Sequence, residues 1–246
     1  MKIIEFGEVG NPIVILIHGF QSIYQVWNEY AEYYKESYHV IVPVLPGHFP
    51  SNDIFNNLDD VASKIEEYVK KYSNKVCLVF GMSLGGVIGA KILERNKIEI
   101  ENILFDGSPL VSYGSFVKKF LISTYLKLTR KTKERNKKVI NQAVKSIVTE
   151  DKLLYFLKMM DQMSEDNIKN YINEIGNYKL PILKINTKIY YFHGTKINEM
   201  FSKKTAKFIK KNYSDAKIIC FNKKAHCEVS IFDSKKMIKE IDKILV

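Results

Sequence analysis

Short, nearly pure apolar runs alternate along this chain with longer segments whose apolar residues recur every three or four positions. The runs predict strands at Lys2–Phe6, Ile13–Ile17, His39–Val44, Val76–Phe80, Asn102–Phe105, Lys188–Phe192 and Lys217–Phe221. The middle ones carry almost no polar residue, as expected of strands buried on both faces of a parallel sheet. Helical spacing predicts helices near 26–36, 58–72, 84–95, 201–212 and 234–245. The one near 58 places Asp59 and Asp60 in its first turn, ahead of Ala62, Ile65 and Val69. The fold class implied is α/β, a mostly parallel central sheet with helices on both faces.

The alternation breaks between about 110 and 180, where no run reads as a strand. Four amphipathic helices in series are predicted there, near 114–128, 134–149, 151–162 and 165–175. An unstructured loop of that length is implausible inside a compact domain. The expected organisation is a core of residues 1–109 and 181–246, with an all-helical cap at 110–180 inserted over one end of the sheet.

Length and composition change this picture little. The 246 residues, 46% of them apolar, suit one large domain with an insertion. Net charge is +11, but residues 1–107 carry −5, residues 108–180 carry +7 and residues 181–246 carry +9. The excess is mostly lysine spread along helices, which reads as a solvated face, so no nucleic-acid partner is expected. Attraction of an anionic substrate or a membrane surface remains open. The longest aliphatic run, Ile13–Ile17, is far short of the roughly 20 residues a spanning helix needs. Glu5 and Glu8 interrupt the start, against a signal peptide. Three cysteines, Cys77, Cys220 and Cys227, show no paired spacing, so a cytoplasmic location with reduced thiols is expected.

Three segments carry chemistry. In the first, an apolar strand, Val76–Phe80, runs into Gly81-Met82-Ser83-Leu84-Gly85, and a small-residue helix runs out of it. The spacing alone is weak evidence; the strand before and the helix after make it a nucleophile elbow, with Ser83 on a tight turn and its hydroxyl exposed. A plain helix cap would also place a serine there. The second, Ile13-Val14-Ile15-Leu16-Ile17-His18-Gly19-Phe20, ends a strand in a loop. Its Phe20 N–H, with that of Leu84, could hold the oxyanion of an acyl-transfer intermediate. His18 itself reads better as a structural residue. In the third, His226 follows the last strand, where a loop can hold an imidazole over the sheet edge as general base.

This order of segments, with Leu45-Pro46-Gly47-His48 and Gly194 between them, resembles the α/β-hydrolase superfamily over nearly the whole chain, and within it the small capped bacterial esterases and lysophospholipase-like hydrolases. The resemblance implies Ser83 as nucleophile, His226 as base, and the Phe20 and Leu84 amides as oxyanion hole. It implies a carboxylic ester or thioester substrate, lipid-like or small. With no metal-ligand cluster, Gly-rich phosphate loop or dinucleotide fingerprint in the sequence, no cofactor or metal is expected. Pro46–Ser51 resembles the family's pocket-shaping loop, with Phe49 where glycine is usual. One strand precedes the oxyanion strand, where two are common. The triad acid departs from the pattern. Many relatives place an aspartate three residues after the penultimate strand's glycine, and Ile197 stands there. Glu199 and Asp106 are the alternatives, the first two residues further on, the second at the end of the strand after the elbow helix. Other chemistry on the same fold, carbon–carbon cleavage or a lyase reaction, and a non-catalytic receptor are the competing readings. Oligomeric state is not legible.

Overall fold

The computed structural model describes residues 1–196 and 199–245. Ile197, where many relatives carry the acid, lies outside them. Seven strands form one sheet: β1 (Lys2–Phe6), β2 (Ile13–Ile17), β3 (His39–Val44), β4 (Lys75–Met82), β5 (Glu99–Asp106), β6 (Lys188–Gly194) and β7 (Lys217–Phe221). Their spatial order is β1-β3-β2-β4-β5-β6-β7. Only β1 runs antiparallel to its neighbour, β3; every other pairing is parallel.

Each central strand feeds two cores, because successive side chains leave opposite faces of a sheet. Ile13, Ile15 and Ile17 of β2 join one core, and Val14 and Leu16 join the other. The first core is closed by α2 (Leu58–Val69), α3 (Leu84–Arg95) and α8 (Met200–Asn212), through residues such as Ile65, Ile88 and Ile209. The second is closed by α1 (Asn28–Tyr34) and α10 (Ser234–Leu245), through Tyr30, Met237 and Ile241. The mostly parallel sheet with helices on both faces agrees with the sequence reading.

Differences lie at element ends. β4 begins at Lys75 and ends at Met82, and β5 begins at Glu99, beyond the apolar stretches that mark them. Lys75 reaches Glu101 at 2.7 Å, so polar residues extend the pairing at the open end. Between β5 and β6 lie α4 (Ser115–Lys133), α5 (Lys137–Val144), α6 (Leu153–Gln162) and α7 (Glu165–Asn177). The first is longer than its pattern suggests. The second starts only at Lys137, capped by Asn136, whose side chain accepts the Val139 N–H. A short helix, α9 (Glu228–Phe232), is not evident in the periodicity. The insertion is pinned to the loop after β3: Tyr171 stacks on Phe55 at 3.6 Å and its hydroxyl donates to the Pro46 carbonyl at 2.9 Å.

Candidate active site

The chain reverses its direction of spread across the sheet at β2. β3 lies on one side of it and β4 on the other, and the crevice at the carboxyl ends of such strands is where open α/β sheets bind ligands. Ser83 sits there, directly after β4, at φ +50° and ψ −113°. That backbone conformation costs a non-glycine residue about 1–3 kcal/mol. The surroundings enforce it: the Ser83 N–H donates to the Asp106 carbonyl on β5 at 2.8 Å, and α3 begins at the next residue. Gly81 and Gly85 allow the turn. A Cβ on Gly81 would run into the Gly85–Gly86 backbone, and one on Gly85 into the carbonyl of Ile17 on β2.

The loop after β2 faces Ser83. Gln21 there adopts φ +51°, and its N–H donates to His48 Nε2 at 3.1 Å. The other nitrogen of His48 meets the Pro46 carbonyl at 3.1 Å. His18 is used the same way, with Nε2 accepting the Leu45 N–H at 3.2 Å and Nδ1 on the Gly19 carbonyl at 3.0 Å. A ring with one carbonyl and one N–H partner is the neutral tautomer protonated toward the carbonyl. Burial agrees, bringing His18 down to about 4 and His48 well below its ordinary value. The two imidazoles therefore brace the loop and do not titrate near neutral pH. The Gln21 side chain reaches Thr129 of α4 at 2.8 Å, so the turn is also tied to the insertion. Among the described residues, neither the Phe20 nor the Leu84 N–H has a protein acceptor.

His226 lies in the loop after β7, against Gly107. A Cβ at Gly107, which has φ +61°, would stand 2.7 Å from the ring's Cε1. Glu199, at the start of α8, is fully buried. Its Oε1 accepts the Gly194 N–H at 3.0 Å and its Oε2 lies 3.3 Å from His226 Nδ1. Burial would raise this carboxyl, but the hydrogen bond and charge of His226, with Ser202 and the Gly194 amide, bring it below its ordinary value. Burial would lower His226, and Glu199, assisted by the charge of Asp106, brings it above 6.5.

Asp106 is used differently. Its Oδ2 accepts the Ser230 hydroxyl at 2.5 Å, and burial pushes it up to about 6. Of the two candidate acids, Glu199 is the one hydrogen-bonded to the imidazole. Ser83 and His226 line one pocket of about 110 Å³ with Phe20, Met82, Tyr125 and Ile147. No Ser83–His226 hydrogen bond closes among the described residues, which is common before substrate binds. A larger cavity, about 680 Å³, opens at the other end of the strands around Cys77 and Glu101. Burial and Glu101 push the Cys77 thiol up to about 11, so no ready nucleophile stands there.

His48, Gln21 and Ser230 escaped the sequence reading as site residues. His48 stood in a motif read only as pocket-shaping, and nothing local in sequence says that its ring crosses to Gln21.

The same architecture recurs in a solved α/β-hydrolase family protein from Desulfitobacterium hafniense, which superposes over 100% of both chains with a TM-score of 0.78 at 19% identity. The chain has the α/β-hydrolase fold. No family model matches the sequence. Among curated proteins, a pimeloyl-[acyl-carrier protein] methyl ester esterase from Legionella pneumophila is 22% identical over 231 residues, 90% of each chain. Epoxide hydrolase 4 of Mus musculus is 27% identical over 86 residues, which is 33% of this chain and only 24% of the mouse protein. The sheet order described above, with its switch at β2, is thus the order of the α/β-hydrolase fold.

Proposed function

We propose that the protein is a serine hydrolase that cleaves a carboxylic ester or thioester through an acyl-serine intermediate. The observation that carries this reading is the hydrogen bond from buried Glu199 to His226, beside the pocket that Ser83 enters from a strained turn. Glu199 holds the proton on Nδ1, which leaves Nε2 free to take the Ser83 proton. Ser83 Oγ bonds to the acyl carbon and the carbonyl π pair moves onto oxygen, received by the Phe20 and Leu84 amides. His226 then returns the proton to the departing alcohol or thiol. Water repeats the sequence: His226 takes its proton, its oxygen attacks the acyl group, and Ser83 leaves reprotonated.

Residues 110–180 act as a cap in this reading, over a core of 1–109 and 181–246, because Tyr125, Ser146 and Ile147 form one wall of the pocket. The pocket beside Ser83, about 110 Å³, has room for a small acyl group. The relative acting on a methyl ester supports ester chemistry. Three free cysteines suit a reducing cytoplasm.

The test is hydrolysis of p-nitrophenyl esters of increasing acyl length, with Ser83→Ala beside the wild type and a fluorophosphonate label on both. Rates highest from acetyl to butyryl, with label and activity lost together in Ser83→Ala, support the proposal. Wild-type rates no higher than those of Ser83→Ala on every ester would overturn it.

A further inference from the structure

α4 is unusual among the helices in what it leaves in water. Of its nineteen residues only Thr129 and Thr132 are buried; Tyr125 and Leu126 pack against the core, and Phe116, Phe120 and Leu128 stand exposed. Phe116 is 82% exposed and Phe120 62% exposed. The helix also carries Lys118, Lys119, Lys127, Arg130, Lys131 and Lys133 and no acidic residue.

The spacing sorts these residues. Tyr125, Thr129 and Thr132 share the inner side, where Tyr125 packs on Phe20 and Thr129 meets Gln21. Phe116, Phe120, Ser123, Lys127 and Arg130, separated by four, three, four and three, share the outer side. Two aromatic rings therefore lead the outer stripe and basic residues follow. Among the described residues Lys119, Lys127 and Lys131 form no salt bridge, while Arg130 is taken by Glu165 at 2.6 Å. An aromatic, lysine-rich, acid-free stripe is the composition of a helix that lies in a bilayer interface. Among the described residues no helix is long and apolar enough to cross a membrane, so such a helix would rest on the surface.

We propose that the outer face of α4 docks the protein on an anionic lipid bilayer, with Phe116 and Phe120 in the headgroup–acyl boundary and the lysines on lipid phosphates. Charge complementarity selects this occupant. A second copy presenting the same face across a two-fold axis would oppose Lys119, Lys127 and Lys131 to the same three lysines. The proposal stands whether or not Ser83 is a nucleophile.

The test is co-sedimentation of Ser83→Ala protein with phosphatidylglycerol and with phosphatidylcholine vesicles, at low and high salt. Binding to the anionic vesicles alone, weakened by salt, is expected. Phe116→Ser/Phe120→Ser lowers the partition coefficient at least about tenfold, and Lys119→Glu/Lys127→Glu/Lys131→Glu lowers it on the order of a hundredfold. Both variants should keep the parent's circular dichroism and melting temperature, since these side chains lie on the surface. No sedimentation with phosphatidylglycerol, equal binding by the variants, or a self-association that the same substitutions abolish would each overturn the proposal.

Discussion

Replacing Glu199 by glutamine separates the roles of the two carboxylates near His226. Glu199 is fully buried, one oxygen on the Gly194 N–H and the other on the imidazole, so water cannot substitute for what is lost. His226 is one-third exposed, so the loss is that of a hydrogen bond to a charged group, about 1.5–3 kcal/mol, below that of a fully buried charge pair. If it falls on the transition state, in which the imidazole is charged, kcat drops roughly ten- to a hundredfold at ~1.4 kcal/mol per decade. A glutamine NH2 turned toward Nδ1 adds to the damage, because it favours the tautomer with its proton on Nε2, which cannot accept from Ser83. Asp106→Asn keeps an acceptor for Ser230 and removes a charge not hydrogen-bonded to the ring, so its effect should stay within about tenfold. The assay is steady-state kcat and KM on the best p-nitrophenyl ester, with melting temperatures to confirm folding. A larger loss in Asp106→Asn, or a loss within tenfold in Glu199→Gln, would refute the assignment of Glu199.

As the proposed base, His226 must be neutral to act, and it lies above 6.5, so kcat/KM should rise with pH through a midpoint above 6.5 that moves down in Asp106→Asn. The Glu199–His226 pair has a stability window. Glu199 contributes above its unfolded value of 4.5, and this is lost as pH falls through its lower folded value. His226 contributes below 6.5, and this is lost as pH rises through its higher folded value. The melting-temperature gap between wild type and Glu199→Gln should therefore be widest between pH 4.5 and 6.5, and a gap that does not vary with pH would contradict the pairing. His48→Phe removes the acceptor of the Gln21 N–H and should lower kcat roughly ten- to a hundredfold with little change in KM, at a stability cost of about 1–3 kcal/mol. A raised KM at unchanged kcat would assign His48 to substrate binding instead. Gly85→Ala drives a methyl into the Ile17 carbonyl and should cost more than about 4 kcal/mol in urea unfolding, or prevent folding; near-wild-type stability would show that the strand and helix can part there.

Much of this was readable in the chain, and for physical reasons. β1, β2, β3 and β7 match their apolar runs residue for residue, because burial on the sheet is what those runs encode. β4 and β5 run further than their apolar stretches because Lys75, Glu99 and Glu101 pair across strands, a stabilisation that periodicity does not record. α9 spans five residues, too few to show a helical repeat. Ser83 and His226 stood out because a tight turn and a late loop leave local marks. The choice between Glu199 and Asp106 was open because both lie near strand ends facing the same crevice. What separates them is the direction of two side chains, one turned to His226 and the other to Ser230.

Gln21 joins three parts of the molecule through one residue: its backbone leans on His48, its side chain holds Thr129 of α4, and the amide before it is the one proposed for the oxyanion. A shift of α4 away from the sheet would have to break the Gln21–Thr129 hydrogen bond. Short of that, the backbone of the turn stays on His48 while the Gln21 side chain follows the helix, so a shift of α4 is felt at the Phe20 amide through this one residue. In the serine-hydrolase reading, that makes the insertion and the oxyanion loop neighbours in one mechanical chain, and a substrate pressing on Tyr125 also presses on the amide meant to receive its oxygen.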